Sequence, residues 1–132
     1  SAMEFFIRFE EKSYFNFEFN RSGAVLAQYG LKGQREYLSK EWMQRIERII
    51  HITSSTWSVE LRIPWDLFLA YENDMAMMGE EFYFNAYKIS KEAHQQHFQS
   101  YFEVVSDKPD FHLPEYFGKA VLQKKEPEPR EY

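Results

Sequence analysis

Two stretches of this chain repeat polar groups that could do directed chemistry. Asn16 and Glu18 stand two apart in Tyr14-Phe15-Asn16-Phe17-Glu18-Phe19-Asn20; Asn85 and Tyr87 stand two apart in Phe84-Asn85-Ala86-Tyr87-Lys88; Tyr101 follows Ser100. A spacing of two puts side chains on one face of an extended strand. An amide donates and accepts, a carboxylate accepts, and a tyrosine offers a ring face and a hydroxyl. Together they suit a sugar, whose apolar C–H face lies on a ring while its hydroxyls take directed hydrogen bonds. The same residues equally suit an outward sheet face that only meets water, and taken alone they leave both readings open.

Other chemistries find less support. His94, His97 and His112 invite a metal, but in an extended segment positions i and i+3 face opposite ways, and no carboxylate pattern completes a ligand set. His112 is expected to staple its loop. Glutamates are frequent enough for chance pairs, and no phosphate loop, nucleophile elbow or zinc-binding helix is present. The expectation is a non-enzyme without cofactor or metal. Trp57 and Trp65 read as core residues, and Trp42 stays unassigned.

The polar pairs need rigid strands beneath them. In the stretch Tyr14 to Asn20, Phe15, Phe17 and Phe19 form a dry face opposite Tyr14, Asn16, Glu18 and Asn20, so a register slip of one residue would expose three rings. Glu4 to Glu10 reads as the preceding strand, with Phe5, Ile7 and Phe9 on one face and a turn at Glu11-Lys12-Ser13. Arg21-Ser22-Gly23 turns the chain into a third strand, Ala24 to Tyr29, which Gly30 and Gly33 should break. Leu31 to Glu41 reads as irregular, with Ser39 capping a short helical turn through Trp42, Met43 and Ile46. Extended structure follows from Arg48, and after Ser54-Ser55 the strand Thr56 to Ile63 alternates most cleanly, with Trp57, Val59, Leu61 and Ile63 inward. Pro64 should open a short helix through Trp65, Leu67, Phe68 and Tyr71 that plugs one end of the fold. Glu81 to Ile89 and His97 to Val104 are expected strands, Ser106 to Gly118 a loop, and Lys119 to Gln123 a closing strand.

Alternation in several segments, with turn signals between them, predicts an all-β fold, an antiparallel β-sandwich with short helical turns. Aromatic residues at 19% fit packing on pleated sheets. The 132 residues predict one domain over residues 4–123, and residues 124–132, with alternating charges and two prolines, an exposed tail. A net charge of -5 without a basic stripe argues against nucleic acid, and no apolar run is long enough to span a membrane as a helix. The absence of cysteine excludes disulfides and leaves the compartment open.

These pieces resemble the family 9 carbohydrate-binding modules, specifically their DOMON-like relatives in bacterial secreted glycan-handling proteins. The resemblance runs through Glu4-Phe5-Phe6-Ile7, Tyr14 to Asn20, Trp57-Ser58-Val59-Glu60-Leu61-Arg62-Ile63-Pro64, Phe84 to Lys88, and Pro109-Asp110-Phe111-His112-Leu113-Pro114-Glu115-Tyr116-Phe117-Gly118. The last motif is the most specific, because its Pro, His, Glu and Gly follow no simple period. The chain departs from the family pattern by starting at the Glu-Phe-Phe-Ile strand, without the upstream strands and their clamping aromatic. It departs again in having Ser100-Tyr101 where Ser-Trp is usual.

The resemblance implies non-catalytic carbohydrate binding, weak and on an outward sheet face. It brings Glu4 together with Asn16, Asn85 and Tyr101, and alternation adds Glu18 and Tyr87. It also implies an extracellular or periplasmic location. Without upstream strands, the Glu4 to Glu10 strand or its neighbour should leave an open edge that recruits a second copy as a homodimer. The alternative is a sandwich that serves interaction or structure without binding sugar.

Overall fold

The structure, a computed structural model, describes residues 2–10, 12–72, 81–90, 97–107 and 110–122; the expected tail and His94 lie outside them. The fold is the expected antiparallel β-sandwich with short helices. Its main sheet contains β1 (Ala2–Arg8), β2 (Tyr14–Asn20), β3 (Val25–Leu31), β4 (Gln34–Tyr37), β7 (Glu81–Ser90) and β8 (His97–Ser100) in the order β4-β3-β2-β1-β7-β8, with β9 (Gly118–Val121) also on β7. A two-stranded sheet of β5 (Glu47–Ile52) and β6 (Trp57–Arg62), with helices α1 (Lys40–Gln44) and α2 (Trp65–Tyr71), supplies the second layer.

The dry face predicted for β2 forms the main core. Ile7, Phe15, Phe17 and Ala27 from the sheet meet Leu38, Ile46, Leu67 and Phe68 from the covering layer. Phe17 is paired across strands with Phe5 and Ala27, and the alanine leaves room for a ring beside it. Each buried phenylalanine contributes roughly 1.5–3 kcal/mol, which makes this register hard to shift. Ser39 caps α1 as expected, its side chain accepting from the Trp42 N–H at 3.4 Å. Pro64 sits at the N-cap of α2, one position earlier than expected, and Phe68 packs edge-to-face on Phe15 at 5.1 Å.

Three sequence expectations change. Gly30 does not end β3; with φ +137° and a Cβ position that would collide with the Gln34 carbonyl, it lets β3 fold back through Gly33 onto β4, where irregular chain was expected. The expected open edge at β1 or its neighbour is absent, because β1 lies between β2 and β7, and each of these is paired on its far side as well. The described sheet edges are β4 on one side and β8 with β9 on the other, so the reason given for a homodimer through β1 does not hold.

The third change decides where the polar pairs sit. Pairing of the stretch His97 to Val104 with β7 stops after Ser100, and β9 resumes on the same edge of β7 further along, at Glu81 to Phe84. Between them residues 102–107 and 110–117 lie on the sheet face opposite the main core. They lay Phe117 and the half-buried Val104 and Phe111 over Phe6, Tyr14 and Tyr87, making a second core. Tyr14, Asn16, Asn85 and Tyr87 are therefore buried, not outward.

Candidate functional site

Cross-strand register arranges the second face in rows. One row runs Leu26, Glu18, Glu4, Tyr87, Ser100; the next runs Tyr37, Gln28, Asn16, Phe6, Asn85. Five of the six residues singled out from sequence thus share one face: Glu4, Glu18 and Tyr87 in one row, Asn16 and Asn85 in its neighbour. Tyr101 does not join them. Highly exposed, it packs on Phe84 at 5.7 Å, a residue of the opposite face of β7, and meets Phe102 edge-on at 5.0 Å.

The buried amides have specific protein partners. Asn85 Oδ1 accepts from the N–H groups of Phe102 and Ala86, both at 2.9 Å, and its Nδ2 donates to the Phe102 carbonyl at 3.2 Å. Just before this point the Tyr101 N–H still bonds the Ala86 carbonyl at 2.8 Å. A side-chain amide thus replaces the next rung of the ladder and lets the chain leave β8 without stranding a backbone donor or acceptor. Asn85 positions the crossing segment. Asn16 Oδ1 accepts from Arg35 Nη2 at 2.6 Å, and the guanidinium, stacked 3.8 Å over the Tyr14 ring, also donates to the carbonyls of Gly30 and Gln28.

Tyr87 is the unsatisfied member. Its ring is stacked at 4.1 Å under Phe111 and edge-on at 5.0 Å to Phe6, and its hydroxyl is buried without a hydrogen-bond partner among the described residues. Burial pushes the phenol well above its ordinary value; nearby Asn85 pulls it back, and the Glu4 and Asp110 carboxylates raise it further.

Beside Tyr87 and Ser100 the crossing segment leaves an open cleft of about 330 Å3 against β8. Phe98 and Phe111 present rings 6.1 Å apart, while Gln99, Ser100, Ser106, Asp107 and Asp110 supply polar groups. Sequence reasoning did not pick out Phe98 as a lining residue; Asp110 and Phe111 stand within the most specific motif but carry no assigned role there. The only available signal was that motif itself, since nothing local reveals which strand a loop will cross.

His112 fixes the segment to the sheet, as a loop staple should. The Tyr14 hydroxyl and His112 Nδ1 are 2.9 Å apart, the ring meets Phe6 at 4.9 Å, and the His112 N–H donates to Asp110 Oδ1 at 2.9 Å. Asp110 in turn faces Lys32 of the β3–β4 turn at 3.7 Å. Among the described residues no group of three or more His, Asp or Glu could hold a metal ion.

Burial, with the positive charges of Arg35 and Lys32, lowers the His112 pKa from 6.5, and the Asp110 carboxylate opposes the shift. A folded state that resists the proton loses stability to an unfolded state that takes it. The His112 contribution is therefore complete above 6.5 and is lost as pH falls through the lower folded value. Urea midpoints measured between about pH 5 and about pH 7.5 should fall on acidification, and His112→Gln should flatten the decline. An equal decline in the variant would assign it to the carboxylates.

A family model described as carbohydrate-binding family 9 matches residues 1–122. Among solved structures, the chain is similar to a Bacteroides uniformis ATCC 8492 protein assigned to carbohydrate binding, with a TM-score of 0.74 and 25% sequence identity. The match covers 93% of this chain and 61% of that one, so the chain spans less than two thirds of the length of that relative. Among curated proteins no sequence match is found.

Proposed function

The chain belongs to carbohydrate-binding family 9, and from that premise we propose that it is a non-catalytic module that binds mono- or oligosaccharides weakly on the second face of its main sheet. The observation that carries this reading is the Phe98–Phe111 cleft, which opens at Ser100, the end of the row Glu18, Glu4, Tyr87, Ser100. A pyranose lying against the two rings would present its hydroxyls to Ser100, Asp107 and Asp110, with Glu4 and Glu18 further along the row and the buried Tyr87 and Asn16 supporting the face from beneath. Asn85 acts through the cleft wall that it holds in place. Tyr101, on the opposite side, is not part of the contact surface.

Ring contacts of this kind are worth about 0.5–1.5 kcal/mol beyond burial, and the cleft is open on one side, so Kd should be on the order of millimolar. The structural neighbour from Bacteroides uniformis, assigned to carbohydrate binding, supports the same reading. No helix among the described residues is long and apolar enough to cross a membrane. Membership of the family supports a location outside the cell or in the periplasm.

Amide NMR titration tests the site. Mono- and disaccharides at tens of millimolar, roughly ten times the expected Kd, should shift signals of Gln99, Ser100, Phe111 and Glu18. Phe98→Ala, which removes a partly exposed ring, should weaken binding by about fivefold, the equivalent of about 1 kcal/mol. If no sugar in a broad glycan panel shifts these signals, the fold is a structural or interaction domain and this reading is wrong.

A further inference from the structure

The row that ends in the cleft continues at its other end onto uncovered sheet. The second core is built over Phe6, Tyr14 and Tyr87, whereas Leu26 and Tyr37, on β3 and β4 of the same face, are 50% and 64% exposed. Leu26 lies in direct register with Glu18, Gln28 is the next residue of β3 on that face, and Tyr37 is paired with Gln28. The polar groups of this strip differ from the buried amides in what holds them. Asn16 and Asn85 are bonded to Arg35 and Phe102. The half-buried side chains of Glu18 and Gln28 have no hydrogen-bond partner among the described residues, and the Tyr37 ring packs on no other ring there. A lone apolar side chain at a surface needs no explanation. Here a phenol, an amide and a carboxylate stand unpartnered on three neighbouring strands, in unbroken register with a cleft that offers two more rings.

Resting on the sugar-binding reading above, we propose that the cleft is one end of an extended site whose preferred ligand is a linear oligosaccharide, laid across the strands from Phe98 to Tyr37. From β8 to β4 the sheet spans five strand spacings, about 24 Å in all, room for about four or five pyranose units in a row. One terminal unit lies in the cleft. The next units pass over Glu18, which accepts hydroxyls, and over the apolar side chain of Leu26; Gln28 donates and accepts, and the last ring lies on Tyr37. A monosaccharide fills the cleft alone, so the millimolar affinity expected above is the weak end of a series that tightens with chain length.

The experiment is an amide-resolved NMR titration that compares short and long members of three series: cellobiose with cellohexaose, maltose with maltohexaose, and xylobiose with xylohexaose. In at least one series the hexasaccharide should bind about tenfold tighter than the disaccharide, the scale of two added sugar contacts. It should shift the signals of Leu26, Gln28 and Tyr37 in addition to those of Ser100 and Phe111. Tyr37→Ala should cut the ratio to about twofold, which is what a longer chain keeps by having more than one way to enter the cleft. Leu26→Ala, on the neighbouring strand, should lower the ratio in the same direction and serves should the first variant misfold. Equal affinities for short and long sugars, with shifts confined to the cleft, overturn the extension and leave the cleft reading standing. A length gain that survives both variants, or a loss of affinity equal for short and long sugars, overturns it as well. If neither these sugars nor the broader panel shifts any of the signals, the cleft reading falls with it.

Discussion

Asn85→Ala should lower the unfolding free energy by about 3 kcal/mol and abolish sugar binding, although Asn85 itself is fully buried. The substitution removes two acceptances and one donation and leaves the N–H and C=O of Phe102 without their partner at the place where the chain leaves β8. Each buried group left unpaired costs about 1–3 kcal/mol, and the loss is not simply additive because both Phe102 groups belong to one turn. The crossing segment carries Phe111 and Asp110, so freedom at Phe102 becomes freedom in the cleft wall. Asn85→Asp keeps the acceptor for the two N–H groups and loses only the donor, so it should fall between the parent and the alanine variant. Urea unfolding with a parallel sugar titration reads both effects. Full binding by a destabilised Asn85→Ala would show that the wall does not depend on this clip.

Phe6→Ala should be as damaging as Phe15→Ala, each costing about 3–5 kcal/mol, a large share of the stability of a small domain. The two rings lie on opposite faces of the sheet. Phe15 is in the main core among Phe17, Tyr29 and Phe68, while Phe6 is in the second, touching Tyr14, Tyr87, His112 and Phe117. If the second face were a wet surface, Phe6→Ala would cost little. Matched denaturation of the two variants decides between these, and a Phe6→Ala loss below about 1 kcal/mol would remove the second core from the account.

Local pattern made much of the sheet readable. The alternation of Phe15, Phe17 and Phe19 located β2 and its core face, the matching pattern of Trp57 to Ile63 located β6, and Ser39 and Pro64 marked helix starts, because each signal depends on neighbours within a few residues. Where glycine carried the signal, it was ambiguous. Gly30 and Gly33 announce unusual backbone, but the same two residues suit a broken strand or a hairpin, and only the partner chain at Gln34 selects the hairpin.

The sequence by itself determined that Asn16 and Glu18 share a strand face, that Asn85 and Tyr87 share another, and, through the motif from Pro109 to Gly118, the family. What tertiary structure alone decided is whether those faces meet water. Alternation distinguishes two sides of a strand but does not say what lies on either, so a row of amides and phenols reads as outward until a distant segment covers it. Here Val104, Phe111 and Phe117 do so, held by the Asn85 contact with Phe102 on one side and by the Tyr14–His112 contact on the other. Those polar residues tolerate burial because each buried amide has a partner. The edge strands were equally beyond sequence, since β1 becomes interior only through pairing with β7, more than seventy residues away along the chain. Long-range pairing of this kind leaves no local periodic trace, and it places Tyr101 on one side of the sheet while bringing Phe98, Phe111 and the Glu4–Glu18 pair to the other.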